Sequence, residues 1–124
     1  MIYIVDDEGV VLASVARTLE AAGYLTAAFK SPIVAYSAFS LAERKPDLLI
    51  LDHTMPEMSG LELLRRCRAL LPALKSLSIS GTLTDDIVRG ATTRPDAYLR
   101  KPFSTVALIA CVQLLLNSRF RSCL

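Results

Sequence analysis

The sequence predicts a single α/β domain, residues 1–124, built on a parallel sheet. Short apolar runs typical of strands alternate with longer segments typical of helices, in five β-α units that favour right-handed crossovers. Most of the predicted strands end in polar side chains: Asp6 and Asp7, Asp52, Ser80, and Lys101. Because the carboxyl ends of parallel strands share one edge of the sheet, where α/β proteins bind ligands, we expect these groups to meet in one crevice.

Each element is defined by its apolar pattern. The predicted strands are, in order, residues 2–5, 25–29, 48–51, 74–79 and 97–100. The predicted helices are about 9–22, 32–44, 60–71, 85–94 and 105–119. The first helix is predicted to bury one apolar face, which contains Val11, Val15, Leu19 and Ala22.

The ends of the helices carry their own signals. Short side-chain oxygens suited to cap a helix N-terminus precede three of them, at Ser31, Thr84 and Ser104. Gly23 suits the end of the first helix because glycine tolerates positive φ, and Pro72 stops the third helix, which begins at Ser59 or Gly60. The fourth helix is predicted to be weak because glycine and threonine are frequent in it.

Composition and charge argue against several classes of protein. The net charge is only +2, and the arginines at 65, 66 and 68 lack the interleaved aromatic residues of a nucleic-acid surface. The three cysteines are far apart and form no C-x-x-C pair, which favours reduced thiols over disulfides or a zinc site. The longest apolar stretch, 106–116, is too short for a bilayer, which needs about 20 residues, and the N-terminus starts with a strand rather than a signal peptide. We therefore expect a cytoplasmic chain without membrane or direct nucleic-acid contact.

The acidic residues of the predicted crevice suit a hard cation. Asp6 and Asp7 repel each other unless a cation is near, and carboxylates without histidine are the ligands that Mg²⁺ prefers. The alternative is that this pair only caps the next helix. Lys101 is suited to bind an anionic group and Ser80 to donate a hydroxyl, although each is also compatible with an ordinary surface or turn position. Their combination at the strand ends carries more weight than any one of them.

These residues lie in motifs that resemble the receiver domains of two-component response regulators, over essentially the whole chain. The motifs are Ile4-Val5-Asp6-Asp7-Glu8, Leu51-Asp52-His53-Thr54-Met55-Pro56-Glu57-Met58-Ser59-Gly60, Ser80-Gly81 and Lys101-Pro102-Phe103. The resemblance implies a flavodoxin-like doubly wound sheet of five parallel strands, in the order 2-1-3-4-5, with five helices. It also implies a phosphoprotein of phosphorelay signal transduction, which assists its own phosphorylation and dephosphorylation without being an enzyme.

The resemblance implies a role for each residue of the crevice. Asp52 would accept the phosphoryl group from a sensor histidine kinase or a phosphotransfer protein, with Ser80 and Lys101 binding the phosphoryl oxygens. The implied Mg²⁺ ligands are the carboxylates of Asp6, Asp7 and Asp52 and the backbone carbonyl of Thr54. The implied switch residues, which would alter the surface for a downstream partner, are Ser80 and Tyr98. We expect phosphorylation to shift a two-state equilibrium in residues 81–98.

Two other functions remain to be compared with this one. A pseudo-receiver would bind proteins without taking phosphate, but the complete set of acids, serine and lysine argues against it. An aspartate-nucleophile phosphatase would need a second aspartate two residues after Asp52, where this chain has Thr54.

Some positions are particular to this chain. His53 is expected to point away from Asp52, because alternate strand residues face opposite sides. The Arg94-Pro95-Asp96 run departs from the approach to the last strand that many receivers have, which puts the local geometry there in doubt. The Lys101–Pro102 peptide bond is predicted to be cis. The last helix is apolar nearly all round, so we expect it to contact a partner or a second copy, giving a homodimer.

Overall fold

A computed structural model gives the fold, and it describes residues 1–81 and 93–117. Its five parallel strands form one sheet in the order β2-β1-β3-β4-β5, as predicted. The strands are β1 (Ile2–Val5), β2 (Thr26–Phe29), β3 (Leu48–Asp52), β4 (Lys75–Ser80) and β5 (Ala97–Arg100). The helices of the described residues are α1 (Gly9–Ala21), α2 (Pro32–Leu41), α3 (Gly60–Leu70) and α4 (Thr105–Leu116). The helix predicted after Thr84 lies outside the described residues.

Both faces of the sheet are buried, as expected for parallel strands covered by helices on two sides. Alternate strand residues separate two cores, because successive side chains of a strand point to opposite faces. One core lies with α1 and α4 and contains Ile4, Leu12, Val15, Ile50, Ile79, Leu108 and Val112. The other lies with α2 and α3 and contains Tyr3, Val5, Phe39, Leu49, Leu51 and Leu63. The sheet is therefore the rigid middle layer that carries the polar strand ends.

The predicted buried face of α1 was partly wrong. Val15 and Leu19 are buried as predicted, but the third buried residue is Leu12. Val11 only packs partly against the core, and Ala22 is the C-cap, one position beyond the last helical residue. The sequence pattern does not fix the rotation of the helix on the sheet, and contact with the sheet selected a face one residue further along.

The predicted helix ends were largely confirmed. Ser31, Ser59 and Ser104 each accept a hydrogen bond from a first-turn N–H, at 3.3, 3.1 and 3.0 Å between heavy atoms. Gly23 has φ of +96°, the conformation for which a glycine was expected. The second helix ends at Leu41, earlier than the predicted residue 44. The Lys45 ammonium donates to carbonyl oxygens at its C-terminus, including that of Ala42 at 2.9 Å, and so closes the helix there.

The unusual approach to the last strand is firmly anchored. The Asp96 N–H donates to the Ser76 carbonyl at 2.9 Å, and the Ser76 N–H donates back to the Asp96 carboxylate at 2.9 Å. Arg68, near the end of α3, adds an ion pair to the same carboxylate at 2.9 Å and a hydrogen bond to the Leu74 carbonyl at 3.1 Å. These contacts position the start of β5, and with it the residues that follow the strand.

The last helix combines a buried stripe with exposed apolar residues. Leu108, Val112 and Leu115 are buried against the sheet. On the opposite side, Val106 and Leu114 are 77% and 66% exposed. The expected excess of apolar surface is therefore present, while the contact that would cover it stays a prediction. Among the described residues, no helix has both the length and the apolar character needed to cross a membrane.

Candidate functional site

The site lies where β1, β3 and β5 end. Asp6, directly after β1, is fully buried, and Asp52, the last residue of β3, is 4% exposed. Lys101 follows β5 and reaches over both acids. Its Nζ lies 3.2 Å from Asp6 Oδ2, 3.2 Å from Glu8 Oε1 and 3.6 Å from Asp52 Oδ2. The structure thus brings together three polar groups that the sequence placed at separate strand ends.

The backbone fixes each of these groups before any ligand binds. The Asp6 N–H continues the β1–β2 pairing by donating to the Phe29 carbonyl at 3.1 Å. One carboxylate oxygen of Asp6 accepts from the Glu8 N–H at 2.9 Å, which sets the orientation of the carboxylate. The Lys101 N–H donates to the Ser80 carbonyl at 3.1 Å, and the Lys101–Pro102 bond is cis, as predicted. Such preorganised groups need little rearrangement to act on a charged ligand.

Burial and charge set the ionisation of Asp52. Burial raises the pKa of Asp52, and the neighbouring Asp6 carboxylate raises it further. Lys101 and the Thr54 N–H, which donates to Asp52 Oδ1 at 3.4 Å, oppose that rise. The pKa of Asp52 is raised on balance, and a nearby cation would favour its charged form.

Lys101 is stabilised as a cation by the same acids. Burial on its own lowers the pKa of Lys101, but contacts with Asp6, then Glu8 and Asp52, raise it above the ordinary lysine value. Its side chain is only 18% exposed, so Lys101 is not a freely solvated surface lysine. The surface alternative for Lys101 is therefore wrong.

Three carboxylates form a group that fits a metal ion. Oxygen atoms of Asp6, Glu8 and Asp52 all lie within 4.8 Å of one another. Oxygen-only donors suit a hard divalent cation such as Mg²⁺. The group contains Glu8 where the sequence pointed to Asp7, whose side chain is only half-buried. The Asp7 carboxylate and the Thr54 carbonyl stay predicted ligands.

The two predicted switch residues lie on neighbouring strands. Ser80 is the last residue of β4 and is 3% exposed, and it pairs in register with Arg100 of β5. Tyr98 lies on β5 with 41% of its surface exposed. Burial of the remainder raises the pKa of the Tyr98 phenol. Their change on phosphorylation, and the segment that connects them, stay predictions because residues 82–92 lie outside the described part of the chain.

Gly60, predicted only as a possible first residue of the third helix, also has a packing role. A Cβ added to Gly60 would lie 2.2 Å from the Asp52 carbonyl oxygen and 2.7 Å from Leu51 Cδ1. The Gly60 N–H also donates to the His53 carbonyl at 2.9 Å. Only a glycine lets α3 begin directly against the end of β3, so this residue positions the backbone that carries Asp52.

The loop between β3 and α3 contains a tight turn. Glu57 has φ of +74°, and the Met58 N–H donates to the Pro56 carbonyl at 2.8 Å, which together define a γ-turn. His53, before this turn, has its Nδ1 buried without a hydrogen-bond partner among the described residues, and burial lowers its pKa. Burial that disfavours the charged imidazole is consistent with a structural role for His53.

Comparison with known proteins agrees with this geometry. Residues 2–113 match the family described as the response regulator receiver domain. The chain is 34% identical over 121 residues to the phosphate regulon transcriptional regulatory protein PhoB of Pseudomonas aeruginosa, covering 94% of this chain and 51% of that protein. It is also 34% identical over 119 residues to the transcriptional regulatory protein PrrA of Mycobacterium tuberculosis, covering 95% of this chain and 50% of that protein. The chain thus spans about half the length of these curated relatives.

A solved structure shows the same fold. The crystal structure of a CheY-like response regulator receiver domain protein from Methanospirillum hungatei is similar with a TM-score of 0.86. The sequence identity is 26%, over 98% of this chain and 96% of that one. The similarity therefore extends over nearly the full length of both chains.

Proposed function

Because the chain belongs to the response regulator receiver domain family, we propose that it takes a phosphoryl group onto Asp52 from a sensor histidine kinase or a phosphotransfer protein. The observation that carries this proposal is the Lys101 ammonium, which lies 3.2 Å from the buried Asp6 and 3.6 Å from Asp52. A cation held beside a nearly buried carboxylate, at the ligand-binding edge of the sheet, suits the binding of a transferred anionic group.

The transfer is a displacement at phosphorus. A carboxylate oxygen of Asp52 forms a bond to the phosphorus atom while the phosphorus–nitrogen bond of the donor phosphohistidine breaks. The histidine nitrogen keeps the electron pair of that bond and takes up a proton from solvent. Lys101 would neutralise charge on the phosphoryl oxygens, and Ser80, the last residue of β4, is the proposed hydroxyl donor.

The acids of the crevice would hold Mg²⁺, which supplies positive charge to the phosphoryl oxygens when it is bound. Asp6 and Asp52, with Glu8 or Asp7, provide the oxygen ligands, and the Thr54 carbonyl is a further candidate. The Asp6 carboxylate repels that of Asp52 and so raises the pKa of Asp52, a rise that Lys101 only partly offsets. That repulsion is the physical reason for expecting the transfer to depend on a divalent ion.

The phosphorylation site is tested by mass spectrometry of the whole chain. Incubation with a small acyl phosphate and Mg²⁺ is expected to add one phosphoryl mass, and Asp52→Asn is expected to lose it. Asp47→Asn is a matched control, because the Asp47 side chain is 71% exposed and pairs with the N-terminal ammonium rather than with the site. Undiminished labelling of Asp52→Asn would show that the acceptor lies elsewhere.

The output of the domain is proposed to be a change of surface. Phosphate adds charge and acceptor oxygens at Asp52, and we infer that residues 81–98 respond and bind a downstream partner. Hydrogen exchange with and without a beryllofluoride mimic tests this, and identical protection of that segment would contradict it.

The exposed apolar side of α4, with Val106 and Leu114, is the proposed surface for a second copy. Sedimentation as a monomer, with and without the mimic, would exclude that dimer.

The matched family supports a signalling domain of the cytoplasm rather than an enzyme with its own substrate. The relatives named as transcriptional regulatory proteins are about twice as long as this chain. The proposed site already uses the polar residues at the strand ends of this domain. We therefore infer that any effector acts through a separate domain or protein.

A further inference from the structure

Glu8 makes a contact that is unusual for its position at the start of a helix. It is the N-cap residue of α1, yet its side chain accepts no capping hydrogen bond from the helix. Instead Glu8 Oε1 lies 3.2 Å from the Lys101 ammonium, and the side chain is 61% exposed. The Glu8 carboxylate therefore contacts Lys101 rather than the N–H groups of its own helix.

The ammonium group is drawn away from the acceptor. Lys101 is within hydrogen-bond distance of Asp6 and Glu8, both at 3.2 Å, but its distance to Asp52 is 3.6 Å. A lysine ammonium has only three N–H donors. Two of these donors are used by Asp6 and Glu8, and the third reaches no hydrogen-bond distance to Asp52. When Asp52 carries a phosphoryl group, the ammonium must move toward Asp52 to bind the new oxygens, and this movement lengthens its contacts with Asp6 or Glu8. Asp6 is fully buried and fixed by the Glu8 N–H, whereas the Glu8 side chain is exposed and can turn into water.

We propose that Glu8 is a positioning residue that holds Lys101 off Asp52 until the phosphoryl group arrives. The inference rests on the proposed phosphoacceptor function and assigns a residue that sets how readily Lys101 becomes available. Glu8 does not touch the reacting atoms and acts through Lys101. Its removal therefore allows the ammonium to lie closer to Asp52 in the unphosphorylated protein.

The first test observes Lys101 directly and needs no phosphorylation. The side-chain ammonium of Lys101 is followed by ¹H–¹⁵N correlation NMR in the phosphate-free protein and assigned by its loss in Lys101→Met. Glu8→Gln is expected to shift this resonance. Glu43→Gln is expected to leave it unchanged, because Glu43 is an exposed acid that follows α2, toward the opposite edge of the sheet. A Lys101 resonance that is the same in Glu8→Gln and in the wild type overturns the proposal.

The second test separates the effect of the Glu8–Lys101 contact from simple repulsion between Glu8 and the anionic phosphoryl donor. Because Glu8 is also a candidate Mg²⁺ ligand, each protein is measured at a Mg²⁺ concentration that saturates it. The initial rate of labelling by a small acyl phosphate is then compared for the wild type, Glu8→Gln, Lys101→Met and the double variant. Glu8→Gln is expected to raise the rate roughly two- to five-fold, the effect of losing one exposed ion pair. The gain is expected to vanish in the Lys101→Met background.

Each other result has a distinct meaning. An equal gain in labelling rate with Lys101 and with Met at position 101 shows that Glu8 merely repels an anionic donor. No gain in labelling rate in the wild-type background shows that Glu8 does not restrain Lys101. Either outcome overturns the proposal. A wild-type protein that takes no label contradicts the phosphoacceptor function instead. The NMR comparison still decides on the Glu8–Lys101 contact in that case.

Discussion

Replacing Gly60 by alanine tests the close packing of α3 on the end of β3. The added Cβ would lie 2.2 Å from the Asp52 carbonyl oxygen and 2.7 Å from Leu51 Cδ1. The leucine methyl can rotate, but the carbonyl belongs to the paired strand and is fixed by the sheet. Relief of the overlap therefore requires a movement of α3 or of β3 by about 1 Å.

Two opposing effects determine how much Gly60→Ala changes the free energy of unfolding. Alanine is preferred over glycine in helices by up to ~1 kcal/mol, which on its own would stabilise the variant. Overpacking a well-filled site costs about 1–3 kcal/mol and occasionally more, and a backbone obstacle belongs at the upper end of that range. We expect the free energy of unfolding to fall by about 2 kcal/mol. For a domain of this size, that lowers the Tm by roughly 6–10 °C.

The assay is urea or thermal unfolding, with Gly9→Ala as the control. Gly9 is also the first residue of a helix, but a Cβ there would meet only the mobile end of Lys30, at 3.6 Å from Nζ. Gly9→Ala is expected to change the free energy of unfolding by less than about 0.5 kcal/mol. Displacement of the Asp52 backbone is also expected to slow acyl phosphate labelling of Gly60→Ala. Equal stability of the two variants would refute the packing argument.

Four further variants test the charges and polar groups around the sheet. Because the folded-state pKa of Asp52 is raised, protons bind more tightly to the folded protein, and the stability of the metal-free wild type should fall as the pH rises from the ordinary aspartate pKa through the raised one. Asp52→Asn should therefore be the more stable protein above that window and should lose this advantage below it; urea midpoints with a parallel pH dependence for both proteins would contradict this. The Ser76 hydroxyl is buried and has no hydrogen-bond partner in the described part of the chain, so Ser76→Ala is expected to be neutral or stabilising by up to about 1 kcal/mol. Ser59→Ala should lose about 1 kcal/mol with its helix cap. Arg68→Met removes the hydrogen bonds that Arg68 donates to backbone carbonyls and to Asp96, and we expect the free energy of unfolding in urea to fall by about 1–3 kcal/mol. An unchanged urea midpoint would show that these contacts do not anchor β5.

The sequence alone determined the order of elements and the edge of the sheet that carries the site. Regular alternation of strand and helix patterns is a local property, and each polar strand end follows its own apolar run. Helix caps such as Ser31 were equally readable, because a cap and the N–H groups it serves are only a few residues apart. The strand order itself came from the resemblance to receiver domains, because the sequence of a strand does not by itself determine which strands pair with it.

Only the tertiary structure decided which atoms meet within the site. The carboxylate that joins Asp6 and Asp52 is that of Glu8, and the contact that holds Lys101 spans the chain from its first strand to its last. The need for glycine at position 60 arises from the approach of α3 to β3, and the buried face of α1 depends on how the helix rotates against the sheet. These distances follow from the packing of rigid elements, in which a shift of about 1 Å changes a contact into a clash, and a local sequence pattern does not encode them.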